Sequence, residues 1–292
     1  WNKYFNSKKV PQGYGLLLVY YFFIISFIFN FNINYVYSFF LLLILASIYW
    51  LDDFKNLSVQ SRIFIQAVSG LMIYLINTNQ YQQEIYIIIV VALLFSLLNI
   101  FLTNVINFYD GLDLNLSVFI IINSIICTYI FHENFYIILI LLVLITFVLT
   151  FSFFNIKRNN LFFGDSGCFV LSSLLILFMT ISYIENNIQI FYLLIGLTLP
   201  IVDVLFVISY RLIKRESLIT RNYYHLYQKY EKVFKNRSYV LLQIFNSGFI
   251  VISLYFFNNF YLLNINFIIL ISLIVTLFFY ILSIIYINEY TK

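Results

Sequence analysis

A series of long apolar stretches separated by short polar segments constrains the fold of this chain more than any other feature. A helix that crosses a bilayer needs roughly 20 mostly apolar residues. About ten stretches approach or meet this length, and no alternation of polar and apolar residues suggests strands, so the sequence predicts an all-α, polytopic transmembrane helix bundle. The predicted spans are residues 14–31, 35–51, 62–78, 85–103, 114–131, 135–154, 167–184, 188–212, 239–257 and 261–287.

Two of these spans carry polar interruptions. The span at 62–78 is the weakest because it contains Gln66, Ser69 and Gly70. The span at 188–212 holds a proline and an aspartate, and we expect it to be kinked or interrupted there.

The composition excludes a soluble globular protein. Hydrophobic residues make up 63% of the chain and charged residues 10%, against about 25% charged in a soluble domain. We expect one integral membrane domain over residues 1–292, with a basic loop at 213–238. Residues 1–13 are too polar for a signal peptide, and we expect them to be a loop that follows a further membrane helix absent from this sequence.

The basic residues predict the orientation. If residue 1 lies in the cytoplasm, the inner connections are 1–13, 52–61, 104–113, 155–166, 213–238 and 288–292. All 16 lysines and arginines fall in or beside this set, as the positive-inside rule requires. Every aspartate lies on the same side, so we expect the chemistry at the cytoplasmic face.

The first polar motif is the pair Asp52 and Asp53, which follows an uncharged apolar stretch and precedes Lys55 and Arg62. Two adjacent carboxylates at the mouth of a membrane helix repel each other and lose hydration, so a cation, a proton or water must compensate them. A capped helix end is the structural interpretation. The functional interpretation is a Mg²⁺ site or a general base, since carboxylates beside a lysine suit a hard cation and a phosphate.

The second motif consists of four polar residues spaced three apart: Asn104, Asn107, Asp110 and Asp113. On a helix they would share roughly one face. A stripe of two amides and two carboxylates at a membrane boundary is costly unless it faces a polar cleft. A capped helix end is again the structural alternative.

The third motif is a Gly-Asp-Ser-Gly turn at 164–167, directly before an apolar span. Asp165 or Ser166 could simply cap that helix. The N-terminus of the helix would also direct its dipole and free N–H groups toward the face of the other aspartates, which suits phosphate and its metal.

The fourth motif is the long inner loop. Eight of the sixteen basic residues lie between Arg211 and Arg237. A polybasic loop that contacts anionic lipid explains this charge. His225 lies among aromatic and basic residues and could instead bind a diphosphate oxygen.

These motifs, in this order and on one predicted face, resemble those of the polyprenyl-phosphate N-acetylhexosamine-1-phosphate transferases of glycosyltransferase family 4. The resemblance covers an Asp-Asp pair, an Asn-x-x-Asn-x-x-Asp-Gly-Leu-Asp motif and a Phe-x-Gly-Asp-x-Gly motif preceded by an asparagine. It also covers a Pro-x-x-Asp helix motif that leads into a histidine-bearing loop. The residues that carry it are Asp52, Asp53, Asn104 to Asp113, Asn155, Phe162 to Gly167, Pro200, Asp203 and His225.

The resemblance implies a reaction and its partners. A membrane polyprenyl phosphate attacks the sugar-linked phosphate of a UDP-amino sugar, and UMP is released. The cofactor is Mg²⁺, with Mn²⁺ as an alternative. The resemblance implies a multi-pass protein of the bacterial cytoplasmic membrane with no nucleic-acid partner, and it leaves a homodimer open.

The resemblance also implies roles for individual residues. Asp52, Asp53 and Asp110 would be catalytic, with Asp52 either a base or a covalent nucleophile. Asp165 and Asn107 would hold the metal. The residues that would bind substrate are Lys55, Asn104, Asp113, Asn155, Phe162, Arg221 and His225.

Three alternatives stand beside this prediction. The first is the peptidoglycan-precursor enzyme, phospho-N-acetylmuramoyl-pentapeptide transferase. The corresponding loop in that enzyme carries a cluster of histidines, whereas the loop of this chain has one. The resemblance is therefore greater to the branch that starts O-antigen or other surface polysaccharides. An ion-coupled transporter is a different class, but its ionisable residues would lie near the midplane, often within an internal repeat. A membrane scaffold would explain the basic loop but not the aspartates.

Overall fold

The computed structural model describes residues 14–51, 57–78, 84–110, 114–156, 163–184, 196–217, 224–234, 239–244, 246–248 and 265–290. Within these ranges the chain is helical and has no strand, which confirms the predicted all-α fold. Short helical stretches occupy 239–244 and 246–248. The ten longer helices are α1 (Tyr14–Ile28), α2 (Ile33–Trp50), α3 (Val59–Thr78), α4 (Ile85–Tyr109), α5 (Asn115–Ile130), α6 (Phe135–Asn155), α7 (Gly164–Ile184), α8 (Thr198–Ile213), α9 (Leu226–Phe234) and α10 (Ile265–Tyr290).

Several of these helices can cross a membrane. In the described part of the chain, six are long and apolar enough: α2, α3, α4, α6, α7 and α10. Helices α1 and α5 are apolar but shorter. The polytopic membrane fold is therefore confirmed, whereas the predicted count of about ten spans is not.

Helix α8 begins near the proline of the interrupted span. Its first residue is Thr198, so Pro200 lies in the first turn. Proline is tolerated there because the N–H groups of the first turn have no partner within the helix.

The helices belong to two compact units, each described below by itself. The first comprises the described residues of Trp1–Asp113 and Leu142–Ile184, and the second those of Leu114–Leu141 and Glu185–Lys292. Helix α6 contributes its first turns to the second unit and its remainder to the first.

Helix α7 is the centre of the first unit. It contacts α1, α2, α3 and α4, and nearly all of its residues are buried. Small residues permit this packing: a Cβ atom on Gly15 of α1 would collide with the backbone of Gly167. The rings of Tyr49 on α2 and Phe169 on α7 stack with their centroids 4.9 Å apart. Close approach through glycine is a common way for membrane helices to pack, since lipid provides no hydrophobic driving force between them.

In the second unit, α10 contacts α8 and α9. Thr276 on α10 donates a hydrogen bond to the hydroxyl of Thr198 on α8 at 3.1 Å. This contact, together with the Asp203 contacts described below, joins the first turns of α8 to the last helix of the chain.

Candidate active site

The second and third sequence motifs meet in the first unit. Asp110 is the residue that ends α4, and its carboxylate Oδ2 accepts a hydrogen bond from the backbone N–H of Gly164 at 3.0 Å. Gly164 has φ of 79°, a left-handed conformation that glycine adopts without steric cost. Asp110 therefore caps the N-terminus of α7 from another helix, and it does so next to Asp165.

Asp165 lies in the first turn of α7 and faces a cation. Its Oδ2 is 3.7 Å from Nη1 of Arg62, in the first turn of α3, and the two side chains are 35% and 34% exposed. The N-terminal position favours a carboxylate or a bound anion, because the positive end of the helix dipole lies there. The sequence placed Arg62 at the edge of the first motif without giving it a role, and the structure adds it to the site.

The donor chemistry of this group suits the predicted metal in part. Carboxylate oxygens are ligands that Mg²⁺ prefers, and Asp110 and Asp165 present two carboxyl groups at the start of one helix. Among the described residues, no group of three or more His, Cys, Asp or Glu side chains could hold a metal ion. Asp165, which the resemblance implies as a metal ligand, thus fits as one member of an oxygen donor set with Asp110 beside it, and the predicted carboxylates Asp52 and Asp53 lie outside the described ranges.

The two asparagines of the second motif lie in the last turns of α4. Asn104 is exposed, and its amide donates to the carbonyl of Ile100 in the same helix at 2.8 Å. Asn107 is half-buried, and its backbone carbonyl accepts a hydrogen bond from the backbone N–H of Asp110 at 3.3 Å. Both bonds are local to the end of α4, where Asn107 lies about one turn before Asp110 and Asn104 nearly two turns before it.

The residues before the third motif pack into the first unit. Asn155 is the last residue of α6 and is buried. Phe163 is also buried, and its ring lies edge-on to Phe151 with centroids 4.9 Å apart. A Cβ atom on Gly167 would collide with the Phe163 ring, so the glycine makes room for it.

Half of the predicted site residues lie outside the described residues. They are Asp52, Asp53, Lys55, Asp113, Phe162 and Arg221.

In the second unit, His225 is held by a buried carboxylate. Its Nδ1 lies 3.0 Å from Oδ2 of Asp203, and the two side chains are 2% and 0% exposed. Asp203 Oδ1 accepts two further bonds, from the N–H of Leu226 at 2.9 Å and from the hydroxyl of Tyr280 at 3.0 Å. The predicted loop histidine is therefore fixed at the start of α9. No local sequence signal connected it with Tyr280.

Polar contacts also tie together the two described ends of the segment before α9. Tyr224 donates to Glu216 at 3.1 Å, and Arg211 contacts Glu216 and donates to the carbonyl of Ser217. The hydrogen bond and the charge of Glu216 raise the pKa of Tyr224. Burial lowers the pKa of Lys229 on α9, and the charge of Asp203 acts in the opposite direction.

Comparison with known families agrees with the sequence motifs. The model of the family described as glycosyl transferase family 4 matches residues 34–183, slightly more than half of the chain. The matched segment includes Arg62, Asp110 and Asp165, and it ends before Asp203 and His225. A search of curated proteins finds no match to the chain. The chain therefore belongs to glycosyl transferase family 4, and this membership implies a membrane enzyme that transfers a sugar phosphate to a polyprenyl phosphate.

Proposed function

We propose that this protein transfers an N-acetylhexosamine-1-phosphate, or a related amino-sugar phosphate, from a UDP-sugar to undecaprenyl phosphate in the bacterial cytoplasmic membrane. The observation that supports this most is the group formed by Asp110, Asp165 and Arg62 at the start of α7, in a chain of this family.

The chemistry explains the need for such a group. An oxygen of the lipid phosphate forms a bond to the sugar-linked phosphorus. The bond from that phosphorus to the bridging oxygen breaks, and UMP leaves with the electron pair. Both substrates are anions, so cationic and dipolar groups must offset their repulsion and stabilise the charge that develops on the leaving phosphate.

Residues of the first unit supply these charges. Arg62 and the N-terminus of α7 attract phosphate oxygens, and Asp110 orients that N-terminus through Gly164. A bound Mg²⁺, or Mn²⁺, held by Asp165 with Asn107, would neutralise the diphosphate.

The remaining roles follow from the motif positions. Asp52 deprotonates or orients the lipid phosphate, and Asp53 completes the acidic group. His225 is a further substrate-binding residue, and Asp203 fixes its ring. The other substrate-binding residues are Lys55, Asn104, Asp113, Asn155, Phe162 and Arg221.

The donor sugar separates two branches of this chemistry. One histidine in the loop supports initiation of O-antigen or another surface polysaccharide. The alternative is transfer of phospho-N-acetylmuramoyl-pentapeptide in peptidoglycan synthesis.

The test is the nucleotide released by purified protein supplied with undecaprenyl phosphate and Mg²⁺. The panel contains UDP-N-acetylglucosamine, UDP-N-acetylgalactosamine, UDP-linked deoxy-amino sugars and UDP-N-acetylmuramoyl-pentapeptide. We expect UMP from an amino-sugar donor, with release that depends on the lipid and stops when the metal is chelated. Release of UMP from the pentapeptide donor alone would select the peptidoglycan branch. No UMP from any donor would contradict the proposed function.

A further inference from the structure

A layer of hydrogen-bonded polar side chains crosses the interior of the first unit. It connects four helices, α2, α3, α4 and α7, through residues that are all buried. Polar side chains inside a membrane protein are costly and are retained where they face a partner or a functional site. We refer to this set as the polar layer, and its members are Tyr49, Gln66, Ser69, Asn99, Thr103 and Ser172.

The bonds of the polar layer run from helix to helix. Gln66 on α3 donates to the hydroxyl of Tyr49 on α2 at 2.8 Å. Asn99 on α4 donates to the hydroxyl of Ser69 at 2.5 Å and to the carbonyl of Gln66 at 2.8 Å, both on α3.

A last bond joins α4 to the central helix. The hydroxyls of Thr103 on α4 and Ser172 on α7 are 2.6 Å apart. Each neighbouring pair in the series α2, α3, α4, α7 is thus fixed by at least one polar contact.

Three hydroxyl groups of the polar layer lie at one common sequence distance from the charged groups of the candidate active site. Ser69 follows Arg62 by seven residues, and Ser172 follows Asp165 by seven. Thr103 precedes Asp110 by seven. Seven residues are two helical turns, about 10 Å along the axis, and they return to nearly the same face. Each of the three helices therefore carries one layer hydroxyl two turns from one charged group.

This spacing matters because apolar packing alone sets the register of membrane helices weakly. Lipid tails are as apolar as the side chains, so sliding of one helix along another is resisted mainly by shape and by polar contacts. A slip by one residue moves a helix end by about 1.5 Å, and a misplacement of about 1 Å can cost a catalyst about 100-fold.

We propose that the polar layer is a positioning device, which sets the axial register of α3, α4 and α7 so that Arg62, Asp110 and Asp165 meet at one level. The role in catalysis rests on the proposed function. The residues of the layer act through these three groups.

The chain offers a matched control. Asn77 of α3 is a buried amide that donates to the hydroxyl of Ser38 on α2 at 3.1 Å. It makes the same kind of contact between helices as Asn99. It lies at the other end of α3 from Arg62, fifteen residues away. Loss of this bond should lower stability without moving the charged ends.

The first test is the distance between spin labels at Ile63 and Phe108, exposed positions near the charged ends of α3 and α4. The labels are attached to cysteines introduced at these two positions. The native Cys127 and Cys168 are buried, and labelling of the protein without the introduced cysteines measures any reaction at them. We expect Asn99→Leu, and the smaller change Ser69→Ala, to shift or broaden the distance distribution. Asn77→Leu should leave it unchanged. Equal distributions in all four proteins, or equal broadening by Asn77→Leu, would overturn the proposal.

The second test is steady-state UMP release. We expect Thr103→Val to lower kcat on the order of 10-fold or more with KM for the UDP-sugar little changed, because the charged groups are misaligned rather than removed. Thr103→Ser, which keeps the hydroxyl, should restore kcat. A normal kcat in Thr103→Val would contradict the positioning role. If the unsubstituted protein releases no UMP, the proposed function fails, and the label distances still decide whether the layer sets the register.

Discussion

Asp110 and Gly164 are joined by a hydrogen bond of 3.0 Å between a carboxylate oxygen and a backbone N–H, across 54 positions of the chain. The bond makes the end of α4 the cap of α7. Asp110 thus has a structural role, as the cap, in addition to its proposed catalytic role. The two roles can be separated by substitution.

Asn and Ala at position 110 should differ in stability but not in activity. Asn keeps an oxygen that can accept the Gly164 N–H, whereas Ala removes the cap at a cost of about 1 kcal/mol. We expect Asp110→Ala to unfold at a lower temperature than Asp110→Asn, and both to lose turnover because the charge is gone. Thermal unfolding and UMP release measure the two effects. Normal turnover in Asp110→Asn would show that the Asp110 carboxylate has no catalytic role.

Arg62 should matter for turnover more than for stability. Its pair with Asp165 is about one-third exposed and 3.7 Å long, and such surface pairs contribute about 0–1 kcal/mol. We expect the unfolding free energy of Arg62→Gln to lie within about 1 kcal/mol of that of the unsubstituted protein. Its turnover should fall at least about 10-fold. Lys214→Gln, a change of the same sign outside the group, is the control. Equal rates in the two variants would exclude Arg62 from the site.

The Asp203 contacts predict a change in substrate affinity. Asp203 is fully buried and accepts bonds from His225, Leu226 and Tyr280. Tyr280→Phe removes one hydrogen bond, worth about 1 kcal/mol, and should loosen the histidine without unfolding the protein. If His225 binds the UDP-sugar, KM for that substrate should rise in Tyr280→Phe. An unchanged KM would argue against a substrate-binding role for His225.

Lys229 predicts a pH dependence of stability. Its folded-state pKa is lowered from 10.5 by burial, so between the lowered pKa and 10.5 the unfolded chain binds more protons than the folded one. Stability attributable to this residue therefore rises with pH through that interval. The unfolding free energy of the unsubstituted protein, relative to that of Lys229→Met, should therefore rise with pH through this interval. Parallel stability curves would show that Lys229 is as well solvated when folded as when unfolded.

Among the described residues, the apolar pattern predicted where the membrane-length helices form but not where they end. The span predicted at 85–103 continues as α4 to Tyr109, because Asn104 and Asn107 remain in the helix. By the same pattern, 62–78 is the weakest predicted span, because Gln66, Ser69 and Gly70 lower its apolar character. In the structure, Gln66 and Ser69 belong to the polar layer, and a Cβ atom on Gly70 would lie 2.6 Å from the carbonyl oxygen of Phe95.

The site was predictable where its residues belong to motifs and not where they come from distant helices. The hydrogen bond between Asp110 and Gly164 joins two motifs that the sequence analysis identified. Their positions in the sequence do not indicate how close the two residues lie in space. Tyr280 follows Asp203 by 77 residues in an apolar helix rich in aromatic residues, and nothing local distinguishes it from a lipid-facing tyrosine. Helix α9 was predicted as part of a loop because it is short and charged.

The most direct test of the account follows the phosphate itself. A UDP-N-acetylhexosamine donor that carries radioactive phosphorus in the sugar-linked phosphate is incubated with undecaprenyl phosphate, Mg²⁺ and the purified protein, and the lipid is extracted. We predict that the label enters the lipid in equal amount to the UMP released, and that Asp165→Asn, folded and membrane-inserted, transfers none. Label that stays in the aqueous phase while the sugar enters the lipid and UDP is released would contradict the account.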